Sequence, residues 1–185
     1  MEEYKTLEEI TRIDKRHVLI SRGAGAAISL ERLHSAIEQI EVYQAVPDEI
    51  RGQFNVARNM ALYTYFCYSL APEVHMKTYS VMEMALRRYY GADRKTPLKQ
   101  LLDRLIKDGA IMDEGFRHVP TDPDNKYCLV FVEAFRKLRN TSAHGTSMLV
   151  PDCLGHLEIC ADFVNQLYPN PGKEEIKGSE KNDNH

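Results

Sequence analysis

The stretch Leu98-Lys-Gln-Leu-Leu-Asp-Arg-Leu-Ile-Lys-Asp-Gly109 decides the fold. Its apolar residues recur every three or four positions, which is the period of one face of an α-helix. Thr96-Pro97 precedes the stretch as a helix-start signal, and Gly109 follows it as a residue that adopts the left-handed backbone of a helix end. We therefore predict a short amphipathic helix that ends at Gly109.

The same period recurs on both sides of this stretch. It predicts further helices over 30–40, 47–66, 82–89, 127–138 and 157–168. No segment alternates polar and apolar residues in the period of two that marks a half-buried strand. We predict an all-α protein, an antiparallel helical bundle of about five to six helices. The helix over 47–66 is apolar on most sides toward its end, so we expect it to be central.

The chain length of 185 residues suits one domain and is short for two. We predict an N-terminal helical extension over 1–50, a helical bundle over 51–169 and a disordered polar tail over 170–185. The first 28 residues are ambiguous, because a helix from Thr6 to His17 and a flexible turn at Gly23-Ala24-Gly25 are both compatible with them.

The sequence predicts a cytoplasmic protein with no membrane segment. Its start lacks a basic region followed by an apolar one, and no apolar run approaches the roughly 18 residues of a spanning helix. Cys153, His156 and Cys160 share one helix face, which is a possible metal-binding pattern. That face continues with Leu157 and Val164 as a core stripe, so we predict no metal and no cofactor.

The segment Phe135-Arg-Lys-Leu-Arg-Asn-Thr-Ser-Ala-His-Gly145 carries the chemistry. His144 can exchange a proton near neutral pH, Arg139 can bind a phosphate through two donors, and Asn140 can orient either group. These are the groups needed to cleave RNA through its own 2′-hydroxyl. Five residues of regular helix separate Arg139 and His144 by about 140° around the axis. Their convergence needs a broken helix end or a second copy of the chain.

Spacing alone leaves a simpler interpretation open, in which Arg139 belongs to a solvated helix face and His144 to a helix end. The string Arg139-Asn-Thr-Ser-Ala-His144 nevertheless resembles the signature of the HEPN superfamily of small all-helical domains. Upstream, Tyr79-Ser-Val-Met-Glu-Met-Ala-Leu-Arg87 is similar to an earlier helix of that family, and the Leu98–Gly109 stretch is similar to the helix between the two. The resemblance covers about residues 55–168.

The resemblance implies a metal-independent endoribonuclease in which Arg139 and His144 are the catalytic pair and Asn140 supports them. It also implies a homodimer whose signature segments face each other in a shared cleft, and a role as a toxin or phage-defence effector. Glu83 is a possible supporting residue, although an ion pair with Arg87 four residues later explains it as well. Two alternatives stay open: a non-catalytic module for dimerisation or for partner or nucleotide binding, and a toxin neutralised by an antitoxin-type protein.

The net charge of −3 excludes a broadly basic coat protein but hides an uneven distribution. Residues 1–50 carry six basic and ten acidic side chains, whereas residues 87–107 carry seven basic and two acidic ones. We predict that an RNA backbone contacts basic residues near the signature. The candidates for these contacts are Arg136, Lys137, Arg87, Arg88 and Lys99.

Overall fold

Seven α-helices account for most of the described chain. The computed structural model describes residues 3–24, 28–122, 124–143 and 153–170, with side chains for all of these except 20–24 and 139–143. The helices are α1 (Lys15–Ala24), α2 (Leu30–Glu38), α3 (Asp48–Tyr63), α4 (Ala71–Tyr90), α5 (Leu98–Lys107), α6 (Tyr127–Ala143) and α7 (Cys153–Leu167). The described residues contain no strand, so the all-α prediction is confirmed. The additional short helix, α1, lies in the segment that the sequence left ambiguous.

Identifiable contacts and glycines mark several of the helix ends. Gly91 and Gly109 end α4 and α5 with φ of 59° and 60°, in the left-handed region that favours glycine. Ser29 caps α2 by accepting a hydrogen bond from the backbone N–H of Arg32. At the other end of α2, the Arg58 guanidinium donates to the backbone carbonyls of residues 37 and 38.

The central helix of the bundle is α4. It packs against α3, α5, α6 and α7, and it buries residues on more than one side. Its buried residues are Ala71, Val74, His75, Thr78, Tyr79, Val81, Met82, Ala85 and Leu86. The prediction that the helix over 47–66 is central is therefore wrong. Its C-terminal part is only partly covered, and Tyr63 is 58% exposed.

The N-terminal quarter of the chain shares the core of the bundle. Leu33, Ile37, Ile40 and Val46 belong to the same buried apolar cluster as α4 and α7. Asn165 of α7 adds polar contacts to this region, because its side chain accepts from the backbone N–H of residue 43 and donates to the carbonyl of residue 41. The boundary at residue 50 stays a prediction, and the predicted tail lies outside the described residues from residue 171 onward.

Helix directions follow from the order of the contacts. Lys77 reaches Gln53 and Arg88 lies near Glu49, so α3 and α4 run antiparallel. Residues that come later in α4 contact residues that come later in α7 or just after it. Thr78 accepts from Cys160 through its carbonyl, and Ala85 accepts from Tyr168 in the same way. Thus α4 and α7 are neighbours that run parallel.

The direction of α6 is opposite to that of α7. At the start of α6, the backbone N–H groups of residues 127 and 128 donate to the carboxylate of Asp113. The neighbouring backbone N–H of Met112 donates to Gln166, near the end of α7. Further along α6, Phe135 stacks on Tyr79, which in turn contacts His156 near the start of α7. We call the end of the bundle where α6 finishes and α4 and α7 begin the motif end.

An N-terminal latch, residues 14–17, joins the start of the chain to the segment between α3 and α4. Asp14 is 3% exposed and accepts from the side chain of Arg16 and from the backbone N–H of Tyr68. His17 is also buried, and its Nε2 donates to the backbone carbonyl of Thr64 over 2.8 Å. The latch therefore anchors α1 beside the 3-10 turn Tyr68–Leu70 that precedes α4.

The Asp14 carboxylate is held in its charged form. Burial alone would raise its pKa, but hydrogen bonds from the side chain and backbone of Arg16 and from the backbone of Tyr68 lower the pKa well below its ordinary value of 3.8. A carboxyl whose folded-state pKa is lowered stabilises the fold fully above its ordinary pKa. That stabilisation is lost as the pH falls from there through the folded-state pKa.

We expect Asp14→Asn to lower the free energy of unfolding at pH 7 by about 2–3 kcal/mol, since a buried charged acceptor of several hydrogen bonds is removed. The loss of stability between pH 4 and pH 2 should become shallower than in the wild type. Urea unfolding at a series of pH values measures both effects. Asp103→Asn, at an exposed position of α5, is the control. The prediction would be contradicted if the wild type and both variants lost the same stability between pH 4 and pH 2.

Among the described helices, none is long and apolar enough to cross a membrane.

Candidate functional site

The signature identified in the sequence lies at the end of α6. Arg139 and Asn140 belong to the last two turns of this helix, which continues to Ala143. Their side chains, and His144 as a whole, lie outside the described residues. The surroundings of the signature can still be identified, because the residues before it and those on the neighbouring helices are described.

Phe135 shows how far along the bundle axis the signature lies relative to the neighbouring helices. Its ring stacks on Tyr79 with centroids 5.3 Å apart. Arg139 is four residues after Phe135 on α6, and His75 is four residues before Tyr79 on α4. Because α6 and α4 run in opposite directions, one helical turn along each leads to the same level of the bundle. The α6 backbone at position 139 is therefore level with His75.

Two histidines form a stacked pair at this level. The rings of His75 on α4 and His156 on α7 lie with centroids 3.6 Å apart and planes inclined by 19°. His75 is buried and His156 is half-buried. The Tyr79 hydroxyl lies 3.5 Å from Nε2 of His156, and the Tyr79 ring meets the imidazole edge-on. We call His75, His156 and Tyr79 the histidine cluster.

Two imidazolium rings stacked at this distance would repel each other. Burial raises the pKa of the Tyr79 hydroxyl, which keeps it neutral. Cys153 lies three residues before His156 on α7, and the pKa of Tyr68 is raised by burial and by the charge of Cys153.

The histidine cluster could not be recognised from the sequence. His75 and His156 are 81 residues apart on different helices, and no spacing rule links them. The sequence grouped His156 with Cys153 and Cys160 instead. Cys160 is fully buried and donates to the Thr78 carbonyl, and burial raises the pKa of its thiol. Within the described residues, no set of three or more His, Cys, Asp or Glu side chains is arranged to hold a metal ion.

Glu83 and Arg87 form the ion pair that their spacing on α4 indicates. The Arg87 Nε and one terminal nitrogen donate to the same Glu83 oxygen over 3.0 and 2.8 Å. The other terminal nitrogen donates to the backbone carbonyls of Asp93 and Thr96 over 2.8 and 2.9 Å. Arg87 therefore secures the connection between α4 and α5, and all three of its guanidinium nitrogens are engaged within the chain.

The other proposed backbone-contact residues lie on the surface. Arg136 and Lys137 both approach the Glu133 carboxylate, at 2.7 and 3.2 Å. Arg88 lies 3.6 Å from Glu49, and both side chains are more than half exposed. Such exposed pairs contribute little to stability, so a phosphate can replace the carboxylate at small cost. Lys99 is exposed at the start of α5.

The structure does not bring these basic residues into one cluster. Arg136 and Lys137 lie one turn or less before the signature. Arg87 is twelve residues beyond His75 on α4, which places it roughly 18 Å further along the helix axis. Because α5 packs against α6, the basic side chains of the two helices can border one long face.

Apolar side chains are exposed along α6. Leu129, Val130 and Leu138 are 54%, 66% and 45% exposed. Val130, Ala134 and Leu138 recur every four residues and form a stripe on one side of this helix. We call these three residues the α6 stripe. It lies on the same helix as Arg139.

Comparison with known proteins identifies no relative: no family model, no curated protein and no solved structure matches this chain.

Because the Arg87 side chain binds groups within the chain, we expect its removal to destabilise the fold. We expect Arg87→Ala to lower the free energy of unfolding by about 1–3 kcal/mol, because two backbone carbonyls and Glu83 lose their donor. Arg94→Ala, an exposed arginine in the same connection, should leave stability unchanged. Thermal and urea unfolding of both variants measure the difference. Equal stabilities would contradict the structural assignment of Arg87.

Proposed function

We propose that the protein is a metal-independent endoribonuclease of the HEPN type. Arg139 holds the scissile phosphate, His144 exchanges a proton with the ribose, and Asn140 supports them. The observation that carries the proposal is the position of the signature: α6 is helical to Ala143 and finishes at the motif end, level with the histidine cluster. The resemblance of residues 139–144 to the family signature supplies the roles of the individual residues.

The reaction needs three actions from the protein. A base removes the proton of the 2′-hydroxyl, a cation stabilises the charge that develops on the phosphate, and an acid protonates the leaving 5′-oxygen. Arginine suits the second action because its planar fork donates two parallel hydrogen bonds to phosphate oxygens. Arg136, Lys137 and Lys99 are proposed to contact the RNA backbone on either side of the cleavage point.

A homodimer fits this proposal. In one regular helix Arg139 and His144 point about 140° apart, so a second copy facing the first offers a complementary pair. The α6 stripe supplies an apolar surface on the helix that carries the signature, and Glu133 with Lys137 beside it supplies charges of both signs.

The same surface favours the second candidate function, a non-catalytic module that binds a partner protein through α6. An antitoxin-type protein is a partner of this kind. RNA cleavage distinguishes the two functions. The endoribonuclease requires His144, whereas the non-catalytic module binds its partner protein through the α6 stripe and does not require His144.

Cleavage of total RNA in EDTA tests the proposed activity. We expect the wild type to cut RNA without divalent ions and to leave 2′,3′-cyclic phosphate ends. His144→Ala and Arg139→Ala should each lower the rate by about 10²–10⁴-fold, since each removes a group that acts in the transition state. The control is His34→Ala, because His34 is exposed on α2.

Cleavage by the His144→Ala variant at the wild-type rate would refute the assignment of His144. A wild-type protein that cuts only after magnesium is added would refute the metal-independent mechanism. Binding of RNA with no cleavage by any variant would favour the non-catalytic module.

Dimerisation has its own test. We expect Val130→Asp or Leu138→Asp to shift the protein to a monomer in light scattering, because each places an unpaired carboxylate in an apolar contact. Val56→Asp is the matched control, since Val56 is exposed on α3, away from the α6 stripe. A wild type that is monomeric at all concentrations, or a dimer that both α6 variants retain, would contradict the proposed interface.

A further inference from the structure

Three tyrosines lie together at the end of the bundle opposite the motif end. Tyr89 and Tyr90 are the last residues of α4, and Tyr168 follows directly after α7. The Tyr89 ring lies 5.0 Å from that of Tyr90 and 6.1 Å from that of Tyr168, inclined by 79° and 89°. We call these residues the tyrosine cluster. Its contacts hold the Tyr89 ring in place, yet Tyr89 is 43% exposed.

Two arginines border the tyrosine cluster. The Arg104 guanidinium on α5 lies over the Tyr90 ring, 4.2 Å from its centroid. Arg88 lies on the other side, near Tyr168. Burial raises the pKa of the Tyr168 hydroxyl to about 12, and the positive charge of Arg88 acts in the opposite direction. The exposed ring therefore lies between two cations.

Both arginines can exchange their carboxylate partners for another anion. Arg104 pairs with Asp108 over 3.2 Å, and Arg88 pairs with Glu49 over 3.6 Å. The four side chains of these pairs are between 41% and 65% exposed. Exposed ion pairs are weak, so a phosphate can take the place of either carboxylate at small cost.

The connection between α4 and α5 adds two further cations, Arg94 and Lys95. Both side chains are exposed, and neither has an ion-pair or hydrogen-bond partner in the part of the chain that the structure describes. The adjacent acid, Asp93, accepts from the backbone N–H groups of residues 95 and 96. Arg87 ties the connection to α4 by donating to the carbonyls of residues 93 and 96. The two free cations therefore stay close to the end of α4.

We infer that this end of the bundle is an anchoring site for single-stranded RNA. A base stacks on the exposed part of Tyr89, and Arg88, Arg94 and Lys95 contact phosphates of neighbouring nucleotides. An aromatic ring among cations is the combination with which proteins hold a single strand without reading its sequence. The inference rests on the proposed function for the choice of RNA. Tyr89 is fourteen residues beyond His75 on α4, about 21 Å along the axis, so this site is separate from the motif end.

Binding of an RNA that cannot be cut tests this site independently of cleavage. The probe is a fluorescent 2′-O-methyl oligouridylate of about twelve nucleotides, whose 2′-oxygens carry no proton and cannot attack phosphorus. We expect Tyr89→Ala to weaken binding about 5–50-fold, as loss of one stacked base does. Tyr89→Phe keeps the ring and should bind within about twofold of the wild type. Tyr4→Ala is the matched control, since Tyr4 is fully exposed beside acidic residues at the start of the chain.

The phosphate contacts have a separate readout. Arg94→Ala and Lys95→Ala should each lower the slope of log affinity against log salt by about 0.7, because each removes one cation that displaces a counterion from the RNA. Arg32→Ala, at an exposed position of α2, should leave the slope unchanged. A duplex of the same oligonucleotide with its complement offers no unpaired base. Tyr89→Ala should therefore bind this duplex as the wild type does.

Equal binding of the single strand by Tyr89→Ala and the wild type would overturn the inference. An equal loss of affinity for the single strand and the duplex would also overturn it, since it indicates a general surface for polyanions. Either result leaves the proposed function intact when the wild type cleaves RNA. A wild type that cuts no RNA refutes the proposed function, whereas binding of the uncleavable strand still decides this inference.

A crosslinking experiment covers the case in which Tyr89→Ala fails to fold in thermal unfolding. Irradiation of the wild type with a single strand that contains 5-iodouridine couples the base to an aromatic ring stacked on it. We expect mass spectrometry to locate the crosslink at Tyr89. Absence of a crosslink at Tyr89 would overturn the inference.

Discussion

The burial of α4 is the constraint on which the rest of the structure depends. Val74, Ala85 and Leu86 are fully buried, and they lie on sides of α4 that no single neighbouring helix can cover. A buried face this wide needs more than one neighbouring helix to cover it. α3 and α7 make the most extensive contacts with α4, and α5 and α6 also pack against it.

The packing of the helices around α4 also determines which helix ends lie together at each end of the bundle. Since α7 runs parallel to α4 and α6 runs against both, the end of α6 meets the beginnings of α4 and α7. Residues that are far apart in the sequence thereby share one level, as His75 and His156 do. The chemistry proposed for this end therefore draws on the packing of the core as well as on the signature.

Local features of the fold were predictable from the sequence, and relations between helices were not. The period of 98–109 and the glycines at 91 and 109 encode a helix and two helix ends within a few residues, so the sequence indicated them correctly. The central position of α4 escaped prediction because the apolar part of 47–66 includes Tyr63, which the fold leaves exposed. In the site, the ion pair of Glu83 with Arg87 follows from a spacing of four, whereas the histidine stack depends on the tertiary arrangement.

The N-terminal latch has a kinetic consequence. The hydrogen bond from the Tyr68 backbone to Asp14 joins residues 54 positions apart, whereas α3 and α4 are joined by a short connection. Closing the longer loop costs more chain entropy, and the latch gains its stability only once the 3-10 turn before α4 exists to receive it. The latch therefore docks after α3 and α4 have paired and the turn between them has formed.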